Sequence, residues 1–136
     1  MRNILLFLFL ILIILKQPVF CQNTSLKTIY FDKNKFSIDV KYRPLLKKLA
    51  FICNSDSTSH VKIIAYSDKA GSEAYNNLLS KKRAYSVLNY MLAYAKFDTT
   101  KVYITWLGET NEVYDLHLKN PHFQKRCVDI WMQFNK

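Results

Sequence analysis

The chain has 136 residues, half of them hydrophobic, with 20 Lys and Arg against 10 Asp and Glu for a net charge of +10. That length builds one domain with a real core and excludes two. The surplus of base calls for an anionic partner.

The first residues stand apart from any fold. Met1-Arg2-Asn3 is a positively charged start, and Ile4 to Leu15 is an unbroken apolar run, the pattern of an export signal. Twelve residues would span only about 18 Å as a helix, against a bilayer core of roughly 30 Å. Lys16-Gln17-Pro18 then end the run, so a transmembrane anchor is the weaker reading. Val19 and Cys21 stand three and one places before Gln22, which sets the expected cleavage after Cys21 and a mature chain of residues 22–136. The alternative, a lipid on Cys21, calls for a small residue where Phe20 stands. The mature chain keeps 18 basic and 10 acidic residues. Outside the inner membrane, cell-wall polymers and acidic lipids are the anionic partners at hand, and nucleic acid is not.

Thr28 to Phe31 reads as a first strand, followed by a polar loop, Asp32-Lys33-Asn34-Lys35. A helix starts near Pro44, a good first-turn residue, and carries Leu45, Leu46, Leu49 and Ile52 before Asn54-Ser55-Asp56-Ser57 stops it. Cys53 continues the series Leu46, Leu49, Ala50 at helical spacing, which makes it a core thiol. Val61 to Tyr66 is a β-branched run of strand length, closed by Ser67-Asp68. In the second helix Ala84, Val87, Leu88, Met91 and Ala95 form a buried stripe. Lys101 to Leu107 and Val128 to Phe134 supply the third and fourth strands. This order of elements predicts an α/β fold, a mixed four-stranded sheet with right-handed crossovers and both helices on one face. Cys53 and Cys127 would then lie at opposite ends of the sheet, against a disulfide that an even count in an exported chain would otherwise invite.

Ligands in open α/β folds bind beyond the carboxyl ends of parallel strands, and Asp68 is expected at such an end. If Ser80 caps or breaks the helix, Lys81, Lys82 and Arg83 fill a first turn. Cations are unfavourable there by some tenths of a kcal/mol to about 1 each, and a bound carboxylate would offset that cost through the Arg83 fork and the free N–H groups. The alternative is that Ser-Lys-Lys-Arg is a solvated face of one continuous helix and that Asp68 merely caps a loop.

Ser67-Asp68, Gly71, Tyr75-Asn76, Leu79-Ser80 and Arg83-Ala84 together closely resemble the signature of the OmpA-like domain. The likeness extends to Ile29, Phe31-Asp32 and Asn34-Lys35, and to Gly108-Glu109-Thr110, covering roughly residues 28–132. It implies a β-α-β-α-β-β domain that binds the stem peptides of peptidoglycan non-covalently through diaminopimelate or a similar diamino acid. By that resemblance Asp68 receives the ligand's ammonium and Arg83 its carboxylate, while Asn34 and Asn76 fix the pose. Two departures stand out. Ala65 replaces a glycine, and Gln124-Lys125-Arg126 replaces Asn-Arg-Arg, so that Arg126 is retained beside a lysine unable to make a bidentate pair.

The resemblance implies no enzyme and no cofactor. His60, His117 and His122 are scattered without metal-ligand spacing, and no nucleophile motif is present. Tyr30, Tyr66, Tyr103, Trp106 and Trp131 could form a basic aromatic platform for RNA, but an export signal excludes that partner, and aromatics on strands are more often packing. Trp106 or Trp131 is left to cover an open sheet face or a homodimer contact. The expectation is an exported envelope protein of a diderm bacterium, docked on peptidoglycan alone or within an envelope protein complex. The rival is the same fold serving as a protein-protein module.

Overall fold

The computed structural model describes residues 23–56, 58–68, 70–109 and 126–134. The expected signal with Cys21, and Thr110, His117, His122, Gln124 and Lys125, lie outside the described residues.

Four strands and two helices follow one another as expected: β1 (Asn23–Tyr30), α1 (Arg43–Ser55), β2 (His60–Ala65), α2 (Glu73–Tyr94), β3 (Val102–Trp106) and β4 (Cys127–Phe134). The sheet order is β1-β4-β2-β3. β4 runs antiparallel to both β1 and β2, while β2 and β3 are parallel. The last strand therefore inserts between the first two, which run parallel to each other and are joined through α1. Each parallel connection carries a helix, and both helices pack on the same face, over Ile29, Val61, Ile63, Val128 and Ile130.

Local sequence accounts for the elements. Pro44 sits in the first turn of α1, where its missing N–H costs nothing. Leu46, Leu49, Ala50 and Cys53 form its buried stripe. On α2 the buried positions run Asn76, Leu79, Ser80, Arg83, Ala84, Val87, Met91, an i, i+3, i+4, i+7 series whose first half is polar apart from Leu79 and whose second half is apolar. Burying each large aliphatic side chain of this core contributes about 1.5–3 kcal/mol.

Strand alternation sends Ile29, Ile63 and Ile130 to the helices and Trp131, Lys62 and Tyr103 to the other, helix-free face. Of the two candidate tryptophans, Trp106 faces the helices, 6.1 Å from the Tyr85 ring and beneath the Lys81 ammonium. Only Trp131 is on the open face. Cys53 and Cys127 are both buried thiols, and no disulfide joins them. Cys53 lies in the helix-side core, whereas Cys127 packs with Tyr66, and burial pushes the Cys53 thiol up to about 11.

Candidate functional site

The site forms where β2 ends, β4 begins and the β1–α1 loop passes over the first turns of α2. Beyond β2 the chain stays pinned: Tyr66 N–H donates to Cys127 O at 2.9 Å and Ser67 N–H to Gly108 O at 2.7 Å. Asp68 is thereby held at the sheet's edge, half-buried. Its Oδ2 accepts from Arg126 Nη1 at 3.1 Å, in an ion pair whose partners are about a quarter exposed. Arg126 Nε also donates to Phe31 O at 3.3 Å, so this base spans β1, β4 and the end of β2.

The helix bearing Arg83 does not begin at Ser80. α2 is continuous from Glu73, with Ser72 as its cap: the Ser72 hydroxyl accepts from Tyr75 N–H at 3.2 Å, and Glu73 places an acid in the first turn. Arg83 lies mid-helix with no free backbone N–H beside it, so the expected anion site at a helix N-terminus does not exist there. Lys81 and Lys82 are exposed, their ammonium groups over Trp106 and Phe36. Half of the solvated-face alternative therefore holds, but Arg83 is completely buried.

The Arg83 guanidinium donates through Nε to Lys35 O at 2.9 Å, through Nη1 to Tyr66 O at 3.1 Å and through Nη2 to Asp32 O at 3.2 Å. The Phe31 ring lies 5.3 Å away. One side chain thus ties the β1–α1 loop to the end of β2. Burial lowers the pKa of Arg83, and the nearby Asp68 charge acts in the opposite direction. A guanidinium carries five N–H donors, and these carbonyls engage three of them.

Ser80 and Gly108 explain two further parts of the signature. Ser80 Oγ donates to Asn77 O at 3.0 Å and accepts from Gly108 N–H at 3.1 Å, pinning the turn after β3 to α2. Gly108 has φ +56°, and a Cβ there would sit 2.5 Å from Asn77 Oδ1, so the turn needs glycine.

Asn76 is fully buried. Its Nδ2 donates to Glu109 Oε2 at 3.3 Å, which sets the amide's orientation and leaves Oδ1 buried with no partner. Gly71, at φ +114°, lets the loop pass close by: a Cβ there would meet the Tyr75 ring at 3.1 Å and Asn76 Oδ1 at 3.5 Å. An unpaired buried acceptor costs about 1–3 kcal/mol, and a ligand donor can recover it. Asn34 is exposed in the left-handed conformation, φ 57°, at the turn closed by Lys35 N–H to Asp32 O.

The five expected residues thus fall into four places. Asp68 joins Arg126, Arg83 holds the two loops, and Asn76 pairs with Glu109. Asn34 stays on the rim. Glu109 was missed as a site residue; the glycine before it, one of only two in the chain, was the available signal.

The sequence matches the OmpA family over residues 30–125. Outer membrane protein A of Klebsiella pneumoniae is 33% identical over 87 residues, 62% of this chain and 25% of that protein. The chain spans about a quarter of the length of such relatives. Among solved structures, the peptidoglycan-associated lipoprotein of Burkholderia pseudomallei superposes with a TM-score of 0.68 at 26% identity, over 79% of this chain and 90% of the other. The C-terminal domain of Helicobacter pylori MotB, at 18% identity, shares the fold with a TM-score of 0.61 over 78% and 83% of the two chains. The family match, the sheet order and the pinned signature residues agree, and this chain belongs to the OmpA family.

Proposed function

We propose that this chain binds peptidoglycan non-covalently through the diamino acid of the stem peptide and so anchors itself, or an envelope assembly, to the cell wall. The observation that carries the reading is the cluster of one acid and two arginines, Asp68 paired with Arg126 and both close enough to Arg83 for their charges to act on it, with Asn76 Oδ1 buried and unpartnered on the same helix as Arg83. A zwitterionic diamino acid matches that set. Its ammonium goes to Asp68, with Asn76 fixing the pose, and its carboxylate to Arg83, with Arg126 beside it; Arg83 and Asn76 are fully buried in the unliganded fold, so the site must open to admit the ligand. Asn34 closes the rim. The solved relative from Burkholderia pseudomallei is peptidoglycan-associated by name, which supports the same ligand. The role is binding, with no bond made or broken.

The accompanying placement is the cell envelope of a diderm bacterium. Residues 1–21 act as the export signal, cleavage falls after Cys21, and residues 22–136 form the wall-binding domain. A mass showing diacylglycerol on Cys21 would overturn that processing.

The test is co-sedimentation of the purified protein with diaminopimelate-type sacculi at low and high salt, wild type beside Asp68→Asn, with free meso-diaminopimelate as competitor. Salt-resistant retention that the competitor releases and Asp68→Asn lacks is the expected result. Retention that disappears with salt and ignores Asp68 would mean that net positive charge alone holds the polymer.

A further inference from the structure

The helix-free face of the sheet carries a row of side chains in register across all four strands. Leu26 on β1 pairs with Trp131 on β4, Trp131 with Lys62 on β2, and Lys62 with Tyr103 on β3. Leu26, Trp131 and Tyr103 are 38%, 36% and 61% exposed, high for large apolar groups on a sheet. The Lys62 ammonium lies 5.7 Å from the centre of the Tyr103 ring. These residues line a cleft of about 930 Å³, within the size range of small-ligand sites.

Polar rows flank the apolar one. On one side Gln133 stands opposite both Thr24 and His60. On the other, Thr28 Oγ1 donates to Asp129 at 2.6 Å. The two ring side chains are two strand spacings apart, about 10 Å, the reach of a disaccharide. Rings to stack on, with amide, imidazole and hydroxyl groups beside them, suit sugar rings with their hydroxyl and acetamido groups.

We propose that this cleft is a second binding site, for the glycan strand of the wall polymer, with Trp131 and Tyr103 as stacking platforms and Lys62 as the hydrogen-bond donor between them. The identity of the glycan rests on the wall-binding reading above, because the polymer bearing the stem peptides is a chain of β-linked N-acetylated sugars. A second copy of this chain suits the face poorly. Lys62 stands at the centre of the cleft, whereas its one acid, Asp129, is only 6% exposed, so two such faces would bring like charges together. Two sites on one polymer raise retention through effective concentration, without either being tight.

The test is amide NMR titration of the purified protein with chitotetraose and, separately, with meso-diaminopimelate. Chitotetraose should shift amides of β2, β3 and β4 around Lys62, Tyr103 and Trp131. Tyr103→Ala, at an exposed position on an edge strand, should weaken chitotetraose about tenfold, the order of loss for a stacking aromatic at a nucleobase, and leave the diaminopimelate shifts unchanged. Trp131→Ala should weaken the sugar similarly. Diaminopimelate shifts around Asp68 with no response to chitotetraose would overturn the cleft and spare the stem-peptide site. No response to either ligand would remove both. Shifts at the cleft with a single-stranded oligonucleotide in place of the sugar, or line broadening with protein concentration that Trp131→Ala abolishes, would assign the face to another partner and overturn the proposal.

Discussion

Arg83→Ala tests whether the buried guanidinium builds the site or only serves a ligand. The substitution leaves the carbonyls of Asp32, Lys35 and Tyr66 without their donors and empties a fully buried volume over Phe31. Hydrogen bonds to a charged group contribute about 1.5–3 kcal/mol each. Water entering the vacated space would recover part of that, so the net loss should be about 3–5 kcal/mol, a large share of the 5–15 kcal/mol or so that holds a domain together. In urea, with a slope of about 1.5 kcal/mol/M, the midpoint should fall by about 2–3 M. Arg83→Lys keeps the charge but not the fork, and should recover less than half of the loss. A midpoint for Arg83→Ala within about 0.5 M of wild type, equivalent to less than 1 kcal/mol, would refute the claim that this side chain ties the two loops. The result also decides how binding assays are read. Lost retention in an Arg83→Ala protein reports folding as well as recognition, so Asp68 is the cleaner probe.

Asp68→Asn should lower stability by about 1 kcal/mol or less, since its ion pair with Arg126 is partly solvated, while abolishing salt-resistant retention on sacculi; thermal melts run beside the sedimentation assay check both. Asp129→Asn should raise the melting temperature at neutral pH. Burial lifts the Asp129 carboxyl above its ordinary value of 3.8, the Thr28 hydroxyl only partly opposing this. The folded protein therefore holds that proton more tightly than the unfolded chain, and the wild type loses stability as pH rises from 3.8 through the raised value. Melts from pH 3 to 8 should show the advantage of the variant growing upward and closing at the acid end; a constant offset would contradict the argument. Gly108→Ala should cost about 1–3 kcal/mol through its left-handed backbone and the contact with Asn77, and adding Asn77→Ala should return part of it in a double-mutant cycle. Cys53 and Cys127, both buried thiols outside any disulfide, should resist alkylation until urea opens the domain.

Strand and helix order, both apolar stripes, the chain's turn at Asp68 and the family were all legible in the residues, because hydrophobic period and loop chemistry act locally and leave a mark wherever they operate. The start of α2 was not. Its buried face opens with Asn76, Ser80 and Arg83, and polar side chains at helical spacing look like a solvated surface until their partners are known. Those partners come from 17 to 51 residues away: Gly108 for Ser80, and Tyr66, Lys35 and Asp32 for Arg83. No local signal encodes such pairings, since the free energy that buries a polar group belongs to the contact and not to the residue. The sequence by itself therefore determined which elements form and which residues carry the family's signature. Only the tertiary structure decided that Arg83 is a buried tie between loops, that Asp68 rests on Arg126, and that Asn76 presents an unpaired acceptor.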